Sequence, residues 1–217
     1  MLVEEIMKEH VITLTPDDTI ETALKLLHQH HIRHIPIIDK ERAVIGIVSD
    51  RDVRDASPSV LEEDTGQEEL QHPIHSIMTY PVTTVHPLDF VEETASIFYE
   101  QEIACVPVTR DDKLVGIVTE KDMLYTLIQL TGTHVQSSQI EVKVINKPGI
   151  LPQVTQVFGK RKVNISSILI YPYKPDAKYK IVVVRIQTMN PLPTVEDLEE
   201  AGYEVLWPKK PESSYEL

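Results

Sequence analysis

The chain has 217 residues, 41% hydrophobic and 25% charged, which leaves room for one large domain or two modest ones with a packed core. With 34 acidic residues against 21 basic ones the formal charge is -13, which speaks against non-specific binding to nucleic acid or to an anionic membrane but not against an anionic ligand in a local pocket. The single cysteine, Cys105, excludes an intrachain disulfide and fits a reducing, cytoplasmic setting.

The opening MLVEEIMKEH is acidic and has no apolar core followed by a small-residue cleavage site, so no signal peptide is expected. No apolar run approaches the ~20 residues that a membrane helix needs. The first 130 residues repeat themselves. Ile6-Met7 falls on Ile77-Met78, Pro16 on Pro87, Ile32 on Ile103 and Pro36 on Pro107. After a gap of one residue, Gly46-Ile47-Val48-Ser49 falls on Gly116-Ile117-Val118-Thr119, and Asp52 on Asp122.

Each repeat predicts the same elements. A short β segment (VITL, VTTV) ends at a polar-Pro turn, and an amphipathic helix follows over 19–30 or 90–102, with Ile20, Ala23, Leu24 and Leu27 at helical spacing. Two apolar strands come next, HIPII and AVIGIV in the first repeat, CVPV and KLVGIV in the second. Ser49 and Thr119 then open a second helix as N-caps, each with an aspartate three residues on, the capping-box pattern. Between the repeats, residues 61–73 read as an acidic linker.

After a polar connector over 131–138 the pattern changes. IEVKVIN alternates as a strand, and KPG is a turn with Pro148 suited to a helix start. Ile150, Leu151, Val154, Val157 and Phe158 then recur at helical spacing. NISSILIY and KYKIVVVRI read as β-branched strands, TVEDLEEAGY as a helix capped by Thr194, and EVLWP as a last strand before a polar tail over 209–217.

The hydrophobic-Pro-hydrophobic strand and the Gly-hydrophobic-Val-Ser/Thr-x-x-Asp signature, twice and in order, resemble cystathionine-β-synthase (CBS) domains. The expected domains are therefore 1–60 and 74–130, paired as a pseudo-two-fold Bateman module. The β-α-β-β-α-β order with the INKPGIL turn resembles an ACT domain over 139–208. The predicted class is α+β: tandem CBS repeats, each β-α-β-β-α, then a ferredoxin-like ACT domain. The combination is similar over the whole chain to the acetoin-utilisation proteins of spore-forming bacteria.

Four histidines crowd into HQHHIRHIPIID. His28, His30 and His31 fall on Tyr99, Gln101 and Glu102, so no ligand set recurs, and the helix is expected to stop near His30. They read as a solvated helix end that complements the dipole, and no metal is expected. The CBS resemblance implies other roles. Asp52 and Asp122 would accept hydrogen bonds from ribose hydroxyls, because a carboxylate offers acceptors only, while Ser49 and Thr119 would contact ribose or phosphate. The bland alternative for both pairs is the capping box alone. Arg33 and His34 precede the Pro strand where basic residues of nucleotide-binding CBS domains reach phosphate; the alternative for Arg33 is a side chain snorkelling at a strand edge. A purine would lie near Ile12-Thr13 and Ile35-Pro36-Ile37, or near Thr83-Thr84 and Val106-Pro107-Val108.

The two sites should differ. The first has Arg33, His34 and Arg51 and should favour a phosphorylated adenosine. The second has Lys121 alone, with Cys105 in place of His34, and should be weaker, empty or suited to a less charged adenosyl ligand. In the third domain Asn146, Gly149, Ile150 and Leu151 match the turn where ACT domains bind amino acids, with a plain assembly turn as the alternative.

No enzyme is expected. The chain has no Walker loop, no paired metal motif and only seven glycines, and Cys105 falls inside a buried strand. The reading is a cytoplasmic, homodimeric regulator that binds an adenine nucleotide (AMP, ADP or ATP) and has no catalytic cofactor. The resemblance implies a role in acetoin or butanediol catabolism, with acetyl-CoA synthetase and its acetyltransferase as partners. The alternative is a ligand-independent scaffold with a vestigial pocket.

Overall fold

The computed structural model describes residues 1–57 and 67–209. The end of the first repeat (58–60), much of the expected linker (61–66) and nearly all of the expected tail (210–217) lie outside the described residues. The chain divides into two compact units, Met1–Leu124 and Tyr125–Leu217.

In the first unit the first repeat gives α1 (Ile20–His30), the hairpin β1 (His34–Ile38) and β2 (Val44–Ser49), and α2 (Asp50–Asp55). Thr19 caps α1 by accepting from the Thr22 amide, and His31 stops it in the left-handed conformation at φ 52°. The single turn α3 (Gln67–Leu70) follows. The second repeat gives α4 (Val91–Gln101), ended by Glu102 at φ 54°, the hairpin β3 (Cys105–Arg110) and β4 (Lys113–Thr119), and the start of α5 (Glu120–Thr131). Both hairpins are antiparallel, with Pro36 opposite Ile47 and Pro107 opposite Ile117. VITL and VTTV are shorter than predicted. Each contributes one parallel bridge, Leu14 beside Ile37 and Val85 beside Val108. The prolines explain where these segments bond: the carbonyls of Pro36 and Pro107 accept from the amides of Leu14 and Val85, both at 3.1 Å.

The repeats exchange their leading segments. Val3 is fully buried in the second repeat's core with Val85, Phe98, Val106, Val108 and Val118, and Ile6 and Met7 pack against it. Ile74 is fully buried in the first repeat's core, with Ile77 and Met78 packed beside it. Backbone pairs fix both exchanges, Lys8 with Ile117 and Ile47 with Thr79. A Cβ on Gly116 would stand 2.6 Å from Met7 Sδ, and one on Gly46 would overlap Met78 Sδ. The Ile-Met and the Gly-Ile-Val of the two repeats are thus halves of one contact, each completed by the other repeat.

The second unit is a four-stranded antiparallel sheet in the order β6-β7-β5-β8, from β5 (Ser138–Ile145), β6 (Ile165–Pro172), β7 (Tyr179–Ile186) and β8 (Glu204–Trp207). The helices α6 (Ile150–Lys160) and α7 (Leu192–Glu200) cover one face. Val142, Val144, Val182, Val184 and Ile186 of the sheet meet Val154, Phe158, Val195 and Leu198 of the helices in one buried core. Two predicted helix starts shift. α7 begins at Leu192 after Pro191, so Thr194 is a buried helical residue and not the N-cap. Gly149, at φ 78°, is the N-cap of α6, which places Pro148 in the turn before it. At α7 the fixed φ of Pro191 sits at the helix entrance in place of the side-chain cap expected from sequence, and at α6 the entrance is taken by Gly149 in the left-handed region, one residue after the expected Pro148.

Candidate functional site

β2 ends at Ser49, whose extended backbone makes it the N-cap of α2. The Ser49 amide and hydroxyl both donate to Asp52 Oδ2 at 2.7 Å, and the Asp52 amide donates back to Ser49 Oγ at 3.2 Å. This reciprocal box fixes the carboxylate and commits Oδ2. Asp52 Oδ1 makes no hydrogen bond or ion pair among the described residues.

His34 pairs across the ladder with Ser49 and is half-buried. Burial pushes its imidazole below its ordinary value, Asp50 and Asp52 pull upward, Arg33 pushes down and Glu120 pulls upward, leaving it lowered. Glu120 belongs to the second repeat, so the first repeat's cluster lies within electrostatic reach of the start of α5. The Arg33 carbonyl accepts from the Asp50 amide at 2.8 Å, which pins the backbone while the guanidinium stays exposed. Among the described residues neither Arg33 nor Arg51 makes an ion pair. Ile35, Pro36 and Ile37 are buried, and Ile12 and Thr13 are half-buried ahead of the Leu14 bridge.

The second repeat repeats this geometry with one change. The Thr119 amide and hydroxyl donate to Asp122 Oδ2 at 2.9 and 2.5 Å. Its other oxygen is occupied: Lys8 Nζ lies 2.9 Å from Asp122 Oδ1. Burial pushes the Asp122 carboxyl up, but hydrogen bonds from the Thr119 hydroxyl, from Lys8 and from the Thr119 amide, with the Lys8 charge, outweigh it and hold it below the ordinary value. Cys105 stands opposite Thr119, and burial, reinforced by Asp122 and opposed by Lys8, pushes its thiol up to about 12, so it is packed and unreactive. Val106, Pro107 and Val108 are buried, Thr84 and Lys121 exposed, and the Thr83 hydroxyl donates to Gln101 Oε1 at 2.7 Å.

Sequence reasoning missed Lys8. It directly follows the Ile-Met pair, and the matching residue is Thr79, so the asymmetry is written in the sequence. That Lys8 serves the other repeat's aspartate follows only from the exchange of segments.

In the second unit, Asn146, Gly149, Ile150 and Leu151 form the turn into α6, and the Asn146 amide donates to the Lys178 carbonyl at 2.8 Å. Ile150 and Leu151 pack on the core. Beside the turn is a cavity of about 370 Å³ lined by Lys143, Lys147, Ile150, Gln153, Tyr179 and Glu204, among others. Lys143 Nζ lies 2.9 Å from Glu204 Oε2 and 4.8 and 4.7 Å from the Tyr173 and Tyr179 ring centres, a cation already satisfied by a carboxylate and two π faces. Among the described residues no group of three or more His, Cys, Asp or Glu could hold a metal ion.

CBS domain matches cover residues 3–59 and 74–129, more than half of the chain. The chain belongs to the CBS-domain family. An ACT domain match covers residues 138–202, so the CBS pair carries a C-terminal ACT domain. The CBS pair is similar to a Vibrio cholerae protein assigned to acetoin utilization (AcuB), with 32% identity and a TM-score of 0.54 over 62% of this chain and 95% of that one. It is similar to the CBS domain pair of protein MJ0100, solved in complex with 5'-methylthioadenosine and S-adenosyl-L-methionine, with 30% identity and a TM-score of 0.51 over 58% of this chain and 95% of that one. A CBS domain-containing protein of Dictyostelium discoideum is 30% identical over 135 residues, 60% of this chain and 93% of that one. Several longer enzymes also match, and the chain spans about a quarter of their length. No helix among the described residues is long and apolar enough to cross a membrane.

Proposed function

We propose that this CBS-ACT protein is a non-catalytic regulator whose CBS pair senses an adenine nucleotide or another adenosyl ligand and acts on partner proteins. The observation that carries this reading is the first-repeat cluster. Asp52 is held by its cap yet keeps one carboxylate oxygen without a partner among the described residues, and Arg33 and Arg51, adjacent in sequence to His34 and Asp52, are exposed and make no ion pair among those residues. A fixed acceptor suits a vicinal diol, and a guanidinium suits phosphate. The likeness to the MJ0100 pair, solved with two adenosyl ligands, supports an adenosyl group. AMP, ADP and ATP are the ligands that Arg33 and Arg51 favour.

Ligand would favour one arrangement of the two repeats and could do so only by its differential affinity for the two arrangements. Homodimerisation has material in α5, where Leu124, Tyr125, Leu127, Ile128 and Leu130 are exposed. The likeness to the Vibrio protein supports a role in acetoin use, and within that role we propose butanediol as a second carbon source and acetyl-CoA synthetase and its acetyltransferase as partners. The Asn146–Leu151 turn would bind an amino acid, its carboxylate meeting the amides at the start of α6.

The capping box at Ser49 and the matching Thr119 bonds to Asp122 favour a second reading, a ligand-independent scaffold, because folding alone explains Ser49 with Asp52 and Thr119 with Asp122. Thermal unfolding with AMP, ADP, ATP and S-adenosylmethionine separates the two. A ligand that binds the folded state alone raises Tm with concentration, and the scaffold reading predicts no rise with any of them.

A further inference from the structure

We propose that Lys8 is a tethered latch on the second repeat's ligand-binding carboxylate, so that the empty second site is held closed by the chain itself and a diol must displace Lys8 to bind. The inference rests on the adenosyl reading above and assigns the regulation of its second site.

Three observations carry it. Asp122 has Thr119 on one carboxylate oxygen and Lys8 on the other, whereas Asp52 has Ser49 on one oxygen and no partner on the other among the described residues. The position that matches Lys8 is Thr79, so the first repeat's aspartate has no such cation from its exchanged segment. The Lys8 backbone is also fixed. Its amide donates to the Ile117 carbonyl at 2.9 Å, the Ile117 amide donates back at 3.0 Å, and Met7 packs over Gly116.

The partners differ in freedom. The Lys8 side chain is 57% exposed and that of Asp122 only 14%. A mobile ammonium on a fixed backbone therefore covers a sheltered carboxylate. Exposed pairs are weak, so the latch is easily displaced yet returns at high effective concentration whenever the diol leaves. Removing Lys8 takes the ammonium off Asp122 Oδ1, and a ribose diol then reaches that oxygen without displacing it.

Calorimetric titration with adenosine, which has the diol and no charge, tests this on the full chain. Wild type binds at the first site. In Asp52→Ala, which isolates the second site, binding is weak. In Asp52→Ala with Lys8→Met the affinity rises about two- to fivefold, and with Lys8→Arg it returns to the weak value. If Lys8→Met leaves the second-site affinity unchanged or lowers it while wild type still binds at the first site, the latch is overturned and the adenosyl reading stands. If wild type and every variant fail to bind adenosine, both are overturned.

Discussion

The two CBS repeats share a backbone plan, and they differ at the residues that would meet a ligand. In each, a Ser or Thr closes a strand just before a helix and donates from its amide and hydroxyl to an aspartate three residues on, which is local physics that any such sequence repeats. What surrounds each aspartate comes from elsewhere. The first has Arg33, His34 and Arg51, while the second has Ala104, Cys105 and Lys121 at the matching positions and takes Lys8 from the first repeat's leading segment. Duplication preserved the frame, and the exchange of segments set the charge.

The largest expected effect breaks the comparison at its stronger end. Asp52→Ala should weaken an adenosyl ligand about 100-fold, from two lost charge-assisted hydrogen bonds at about 1.5 kcal/mol each, while Asp122→Ala should weaken the total binding far less. Next, Gly46→Ala should destabilise the CBS pair by about 1–3 kcal/mol through overlap with Met78, read as a lower denaturation midpoint. The double variant Gly46→Ala with Met78→Ala should lose less than the two single losses together, because the clash is shared. A full sum of the two losses would show that the Gly-Met contact does not exist in solution.

A smaller effect is expected at Arg33. Arg33→Ala should weaken AMP about three- to tenfold and leave adenosine unchanged, if the guanidinium meets phosphate. Equal loss for both would make it a strand-edge side chain.

The smallest effect is the pH dependence of the Lys8 pair. Asp122 is held below its ordinary value, so the folded state binds this proton less readily than the unfolded chain. The pair's contribution is therefore fully present above the unfolded pKa of about 3.9 and is lost as pH falls through the folded value. Wild type should exceed Lys8→Met by at most about 1 kcal/mol at neutral pH, because Lys8 is exposed, and the gap should close in acid. A gap that widens in acid would reverse the sign and refute the pairing.

Much of this was legible because it is local. Thr19, Ser49 and Thr119 announce helix starts, and the alternation of Val142, Val144, Val182 and Val184 marks the covered face of the ACT sheet. Thr194 misled because Pro191 sets the entrance to α7 three residues earlier. The reach of Lys8 to Asp122 was hidden. Repeats align in sequence as if each packed on itself, and only long-range burial of Val3 and Ile74 in the other repeat's core reveals the exchange.

The most direct test of the central claim is calorimetric titration of the full chain and its Asp52→Ala variant with AMP, ATP, 5'-methylthioadenosine and S-adenosylmethionine. The account predicts saturable binding of at least one ligand by the wild type, with the Asp52→Ala variant losing the stronger site and staying folded. Absence of binding by the folded wild type, or equal binding by the variant, would contradict it and leave the Ser49–Asp52 pair as a helix cap.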